Sequence, residues 1–479
     1  MLFYRPYSDA EGDGCRLGNP VLHSDLHGTQ KIMCTACNFL IFNKVIGKII
    51  WSSGDFFVTL GVHKQTVMNV IKPLDQKTFI GAEALNDATK VQNNSESKKS
   101  IWDSLLIFAQ SVPDFRRNGK GNFRHVLADM LVLIMLARMS GHYVRPSIIA
   151  FGKHNLNKFQ KKGLLLNGVP SEATLCRVDN GIDDLELADR MRQFMEAFYN
   201  ELISMACVME AICVDGKAMR GTVLENGRNP DIVSAYSYTT RIVLATEACR
   251  EKSNEIKATP LVIDKIDVEG KVVTADAMSM QKDIVDKIKE KGGDFLIELK
   301  ANQRSLRYGV EDRLNTAEPL HRYTYGPELG HGRIETRTYI VYSGSDLVVD
   351  EKKWGRDLTV IEYISETIEK STGRKTSEKR LYVTSLSHDN PLLGEFIRRH
   401  WSVESMHWMV DVNLHQDQIK RKHSRAARNL DTIQRILYSL FSIWKGLRKK
   451  KADKKKGMTE LMREISFSFT LLMRFLSQK

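Results

Sequence analysis

No stretch of this 479-residue chain is apolar for long enough to cross a membrane. The longest strongly apolar run, Met130 to Ala137, is bounded by Asp129 and Arg138. A bilayer span needs about 20 such residues. Arg5 is not followed by the apolar core of a signal peptide, so secretion is not expected. Cysteine is scarce, with seven residues at 15, 34, 37, 176, 207, 213 and 249. That odd, sparse set cannot form a disulfide framework and fits reduced thiols in a cytosol. Extensive disorder is excluded as well, because 42% of the residues are hydrophobic and 27% are charged. The length corresponds to about three domains.

Most of the chain also lacks net charge. The first 419 residues carry 54 Lys+Arg and 54 Asp+Glu, whereas the stretch from Lys420 onward carries 17 against 4 and holds the entire +13 excess. A basic end behind a neutral body points to a polyanion, either nucleic acid or an anionic membrane surface.

The pattern divides the chain into four parts. Residues 1–100 form an extension with no sustained period. Within it, His23, His27, Cys34 and Cys37 make an H-x3-H…C-x2-C string of possible zinc ligands, inverted relative to the usual finger and without a second cysteine pair. Phe57 to Ile71 is a candidate helix-turn-helix, with Gly61 at the turn and Val62, Val67 and Val70 on the second helix. Phe57 departs from that motif, which wants a small residue there. Asn86 to Ser100 is polar, lacks aromatics and reads as a linker. Residues 101–207 predict a mainly helical domain: Phe123 to Met139 has a broad apolar face, Leu185 to Met205 repeats near a 3.6 period, and Pro170-Ser171 opens a helix. Its cluster Arg116, Arg117, Lys120 and Arg124 could touch phosphates.

From Glu210 the texture changes to short β-branched runs: Ala211 to Asp215, Ile232 to Tyr238, Arg241 to Ala248, Lys271 to Asp276 and Asp294 to Leu299. A helix over Ser279 to Lys291 follows the fourth, which makes 208–445 an α/β domain. Arg333 to Tyr342, Leu358 to Ile364 and Arg380 to Ser385 add strands within an insertion at about 304–390. Helices are expected over Glu395 to Leu414 and Ala426 to Trp444, followed by a basic tail at 446–479 containing RKKKADKKK and a last amphipathic stretch.

Asp215 and Asp276 each end an apolar strand, where α/β sheets place their ligands. In the helix RRHWSVESMHWMVDV, residues His400, Glu404, His407, Trp408 and Asp411 share a face. Carboxylates brought together from separate elements are the hard oxygen ligands that Mg²⁺ prefers. Two such ions can drive phosphodiester cleavage. Glu404-x-x-His407 also admits a di-iron reading, but Glu318-Pro-Leu-His321 is interrupted by proline and makes a poor second pair.

Several ordered motifs then carry a resemblance. VDGKAMRG (Val214 to Gly221), IVSAYS (Ile232 to Ser237), TADAMSMQ (Thr274 to Gln281), GGDFLIELKANQ (Gly292 to Gln303), HGRIETR (His331 to Arg337), the glutamate helix and RNLDTIQRIL (Arg428 to Leu437) follow one another as in a known family. The chain from about Ile101 to Trp444 resembles the DDE transposases of bacterial insertion sequences, in the ISAs-type branch of the H-repeat-associated proteins. The resemblance implies an RNase H-like catalytic domain with a β-rich insertion, preceded by a mainly helical N-terminal domain. It implies Asp215, Asp276 and Glu404 as catalytic residues and metal ligands for two Mg²⁺ ions, with Mn²⁺ as a substitute. The implied reaction is hydrolysis at the element ends, followed by attack of the freed 3′-OH on target DNA. The implied partners are terminal inverted-repeat and target DNA bound by a homodimer, in a cytoplasmic, nucleoid-associated setting and without a membrane. Lys217, Arg220, Lys300, Asn302, Gln303, Arg333, Arg399 and His400 lie in the matched motifs as DNA-binding candidates. Related transposases carry a Tyr, an Arg and a Lys around the glutamate. Here Arg399 and His400 take the basic place, while Ile397 and Asp411 replace the other two. Ser279, Met280 and Ser405 are further departures, none of them at a proposed ligand. A transposase-derived DNA-binding protein without catalysis is the rival reading.

Overall fold

The computed structural model describes residues 99–479 except 117–122, 207, 225–226, 250–254, 331, 349–350, 356, 449–454 and 479, together with four short strands nearer the start. Met1–Ile80 and Gly81–Lys479 are separate compact units. The first contains two antiparallel hairpins, β1 (Ile32–Cys34) with β2 (Cys37–Ile41) and β3 (Ile49–Ser52) with β4 (Asp55–Val58). Cys34 and Cys37 are backbone partners across the first hairpin. His23 and His27, the rest of the zinc string, lie outside the described residues. So does the candidate helix-turn-helix beyond Val58, while its first two residues, Phe57 and Val58, are strand. The linker before Lys99 also lies outside them.

In the second unit the described residues before Ala211 form helices, and local chemistry explains the boundaries. Helix α1 (Ile101–Ser111) opens with a reciprocal capping box between Ser100 and Asp103. Helix α2 (Leu127–Met139) is buried except at Ala128 and Asp129, so it is a central helix where the sequence suggested one broad apolar face. Helix α3 (Arg145–His154) has proline in its first turn. Helix α4 (Glu172–Gly181) starts at the expected Ser171 cap, and Asp183 caps α5 (Asp184–Ile203). In the basic cluster, Arg116 is paired with Asp114 and donates to the His125 carbonyl at 2.9 Å. Arg124 donates to the Asn167 carbonyl at 3.2 Å. Arg117 and Lys120 lie outside the described residues.

Next come β5 (Ala211–Ala218), β6 (Asp231–Ser237) and β7 (Val243–Ala248), then α6 (Glu255–Asp264), β8 (Val272–Ala275), α7 (Lys282–Glu290), β9 (Asp294–Leu299) and α8 (Arg304–Leu314). Four longer strands follow: β10 (His321–Gly330), β11 (Arg333–Ser343), β12 (Thr359–Glu369) and β13 (Lys375–Thr384). All nine belong to one sheet, in the order β10-β11-β12-β13-β9-β8-β5-β6-β7. Strands β5, β8 and β9 are parallel and every other neighbour is antiparallel. The insertion therefore extends the central sheet through the β13–β9 pairing.

The chain then forms α9 (Leu393–His400), α10 (Ser402–Trp408) and the long, almost wholly buried α11 (Ser424–Leu447). The end at 446–479 is only partly a tail. Helices α12 (Met458–Ser466) and α13 (Phe469–Leu476) bury Leu461, Leu472, Phe475 and Leu476 in the main core. Ile101 N donates to the Gln478 carbonyl at 3.0 Å, so the two ends of the described fold meet. Among the described residues no helix is long and apolar enough to cross a membrane.

Candidate active site

Alternation along β5 turns Cys213, Asp215 and Lys217 to one face of the sheet. The segment on that face is expected to be a single helix over Glu395 to Leu414. It is instead α9, α10 and a wider π-type turn at Met409–Asn413. Ser402 marks the first break, its Oγ donating to the Arg399 carbonyl at 2.6 Å in a local bond that competes with the helical ladder. Wide turns within helices are frequent at functional sites. Each β5 residue meets a different part of this segment. Cys213 Sγ donates to the Arg399 carbonyl at 3.3 Å. Asp215 Oδ2 lies 3.4 Å from His407 Nδ1. Lys217 Nζ lies 2.5 Å from Asp411 and 2.7 Å from Gln416 Oε1.

Strand register places the two aspartates together. Val214 and Ala275 are partners in the parallel β5–β8 ladder, and Asp215 and Asp276 are the next residues of each strand. Only Asp276 ends its strand, since β5 continues to Ala218 against β6. Asp276 opens a 3₁₀ turn (Ala277–Ser279) and accepts from Ser279 Oγ at 3.3 Å. Two residues before it, Thr274 Oγ1 contacts His400 Nδ1 at 3.1 Å. Burial holds the His400 pKa below the ordinary histidine value, and the charges of Asp215, Asp276 and Glu404 act against that shift. One imidazole thus lies within electrostatic reach of all three acids. Glu404 is exposed in the first turn of α10, on the segment that also carries His400 and His407.

Among the described residues no lysine or arginine pairs with Asp215, Asp276 or Glu404; the His407 imidazole lies against Asp215, and burial holds its pKa below the ordinary histidine value. Such uncompensated carboxylates are a fitting oxygen donor set for a divalent cation. The acids do not close to the spacing of a single ion. Among the described residues, the trio with ligand atoms within 4.8 Å of one another is His321, His388 and Asp389. That trio is a surface cluster in which Asp389 Oδ1 lies 3.1 Å from His321 Nε2 and 3.2 Å from His388 Nδ1. A two-ion site spreads its ligands around ions about 4 Å apart, so wider spacing suits it.

The other motif residues divide by environment. Lys217 is buried and its ammonium is engaged as described above. Arg399 is buried, donates to the Met209 carbonyl at 2.9 Å and lies over Tyr238 and Phe396. Asn302 Nδ2 donates to the Ala277 carbonyl at 2.5 Å and Gln303 Nε2 to the Met280 carbonyl at 2.7 Å. These two side chains hold the turn that follows Asp276. Lys300 is half-exposed and pairs with Glu298 at 2.9 Å. Arg220 and Arg333 are exposed.

Behind Lys217 runs a buried polar chain. Gln416 Nε2 donates to Asp431 Oδ1 at 2.8 Å and to Gln434 Oε1 at 2.9 Å. Asp431 Oδ2 accepts from Arg435 Nε at 2.8 Å. Gln434 Nε2 closes back on the Leu414 carbonyl at 2.7 Å. This network ties β5 to α11 and to the end of the glutamate segment.

Sequence reasoning missed Glu255. It starts α6, a helix not anticipated between the third and fourth strands because Pro260 lies inside it. A Cβ on Gly216 would sit 2.2 Å from Glu255 Oε1. Burial and then the charges of Asp276, Asp215 and Asp231 push the Glu255 carboxyl up to about 7. The glycine directly after Asp215 was the available clue.

The "Transposase DDE domain" family model matches residues 208–440, and a model described as DDE_Tnp_1-associated matches 107–195. "Putative transposase YncI" of Escherichia coli O157:H7 is 32% identical over 346 residues, which are 70% of this chain and 87% of that protein. The chain belongs to the DDE transposase family. "H repeat-associated putative transposase YhhI" of Escherichia coli (strain K12) is another relative, 31% identical over 72% of this chain and 93% of its own length. Within this DDE transposase the family match spans Asp215, Asp276 and Glu404. A solved piggyBac transposase synaptic complex with hairpin DNA is similar at a TM-score of 0.40 and 11% identity, over 79% of this chain and 81% of that one.

Proposed function

We propose that this DDE transposase is catalytically competent, cutting the ends of an insertion sequence and joining the freed 3′-OH to target DNA. The observation that carries the reading is the adjacency of Asp215 and Asp276, one step past the Val214–Ala275 pair, with the glutamate segment laid across that face. Two parallel strands and a helix delivering three acids are what an RNase H-like core requires. The β10–β13 strands correspond to its β-rich insertion.

Asp215, Asp276 and Glu404 would hold the divalent ions. When bound, such a pair supplies an activated water or 3′-hydroxyl and stabilises the leaving oxygen of an in-line displacement. The protein's own part is positioning. His407 orients the Asp215 carboxylate, and Asn302 and Gln303 fix the turn carrying Asp276. Double-stranded inverted-repeat DNA is the proposed partner, synapsed by two subunits. Incubation of the chain with its terminal inverted-repeat DNA and Mg²⁺ should yield nicked ends and joined products. Tight binding of those ends without any metal-dependent nicking would favour the non-catalytic reading instead.

The basic end would supply contacts to the DNA backbone that offset the repulsion of phosphates by an acidic site. Neutralising Lys449, Lys450, Lys451, Lys454 and Lys455 should weaken DNA binding equally for all sequences. The log–log salt slope should flatten by about 0.9 for each phosphate that is no longer neutralised. Unchanged slopes in a salt titration would remove these lysines from the DNA interface.

A further inference from the structure

Three acids come from the family motif, and a fourth stands beside them. We propose that Glu255 is an additional oxygen ligand of the divalent-metal site, working with Asp215 and Asp276, and that residue 216 is glycine in order to admit it. The proposal rests on the metal-site reading above and adds a residue to it.

The first support is spatial. The β5–β8 ladder stops at Val214 and Ala275, so beyond that pair β5 has no neighbour on its β8 side. Gly216 is the second residue past the end of the ladder. A Cβ there would lie 2.2 Å from both Oε1 and Cδ of Glu255, and 2.7 Å from its Cγ. A Cβ there would force the end of the Glu255 side chain to shift. The Glu255 carboxylate therefore occupies the side-chain space of the residue next to Asp215. Successive strand residues point to opposite faces. Glu255 thus approaches the ends of β5 and β8 from the side opposite His407 and Glu404.

The second support is electrostatic. Asp276, Asp215 and Asp231 all bear on Glu255 with like charge. Among the described residues the carboxylate has neither a hydrogen bond nor an ion pair, its backbone carbonyl alone being engaged, by Thr259 Oγ1 at 2.8 Å. A place in the first turn of a helix favours an ionised acid only weakly. That is too little to offset several neighbouring carboxylates, each of which disfavours its ionised form. A divalent cation reverses the balance, because every one of those charges then attracts the same ion. Magnesium-class ions take six oxygens, several from water, and two ions leave room for a fourth carboxylate.

Mn²⁺ binding to the full-length chain, followed by the loss of the free-ion electron paramagnetic resonance signal, separates this role from a structural one. Glu255→Gln should weaken Mn²⁺ binding about tenfold or more, the scale on which even indirect metal partners act. Gly216→Ala should do the same by displacing the carboxylate while every acid remains, and Glu255→Asp should recover part of the loss. Without metal, Glu255→Gln should melt no lower than the parent, because one like charge has gone. If Glu255→Gln and Gly216→Ala both bind Mn²⁺ as the parent does while Asp215→Asn does not, Glu255 is no ligand and the three-acid site stands. If Asp215→Asn also binds normally, the metal-site reading itself falls. A lower metal-free melting temperature with unchanged Mn²⁺ affinity would make Glu255 structural and overturn the proposal.

Discussion

Asp276→Asn is expected to lower cleavage of terminal DNA by about a thousandfold or more while leaving DNA binding intact. The change keeps the shape of the side chain and its ability to accept from Ser279 Oγ. It removes a charge and one of the proposed oxygen ligands. Metal stabilisation of the charge developing in the transition state is worth several kcal/mol, and each 1.36 kcal/mol is a factor of ten in rate. Asp215→Asn and Glu404→Gln should show losses of the same order. Pairing any two should add little, because the acids act as a unit. Single-turnover cleavage with saturating enzyme isolates the chemical step from binding. A rate near the parent's for Asp276→Asn would remove this residue from the catalytic set.

Asp431→Ala is expected to destabilise the folded chain by about 3–5 kcal/mol, the usual cost of leaving one member of a buried ion pair alone. Asp431 and Arg435 are both essentially inaccessible to solvent, and the change strands the guanidinium and one donor of Gln416 together. Replacing both partners with apolar residues of similar volume, as in Asp431→Leu with Arg435→Met, should recover much of the loss, since neither charge is then buried unpaired. Denaturant midpoints of the single and double variants decide the matter. An unchanged midpoint for Asp431→Ala would mean that water reaches the site and the network contributes little.

The three candidate acids stand out in the sequence because each is carried by a strong local signal. Apolar β-branched runs lead into Asp215 and Asp276, and a charged and aromatic helical stretch surrounds Glu404. The residues around them were not legible, for physical reasons. Lys217 reads as a surface cation in sequence, and only the fold reveals that Asp411, Asp417 and Gln416 receive it. Asp411 looked like the substitute for a lost lysine, yet it faces a lysine supplied by β5. The break after His400 depends on one hydroxyl, that of Ser402, within a pattern that otherwise reads as continuous helix. Strand β10 escaped notice because it lies at the sheet edge and exposes most of its residues, so it has no alternation to read. The last amphipathic stretch was visible behind the lysine run, but its division into α12 and α13 and their place in the main core depend on partners distant in the chain.

The order in which the site is delivered has a consequence in time. During synthesis Asp215 and Asp276 emerge early, but the segment carrying Glu404 follows only after all four strands of the β10–β13 extension. Even then the core lacks α11, whose Ser439 Oγ accepts from Val243 N at 3.1 Å, and α13, whose end receives the backbone of Ile101. Contacts between such distant parts of a chain form slowly. A nascent chain that has passed Asp276 but not reached Glu404 therefore carries two of the candidate acids without the third. The segments that carry the three candidate acids are thus all present only late in synthesis, after the four strands of the sheet extension have been made.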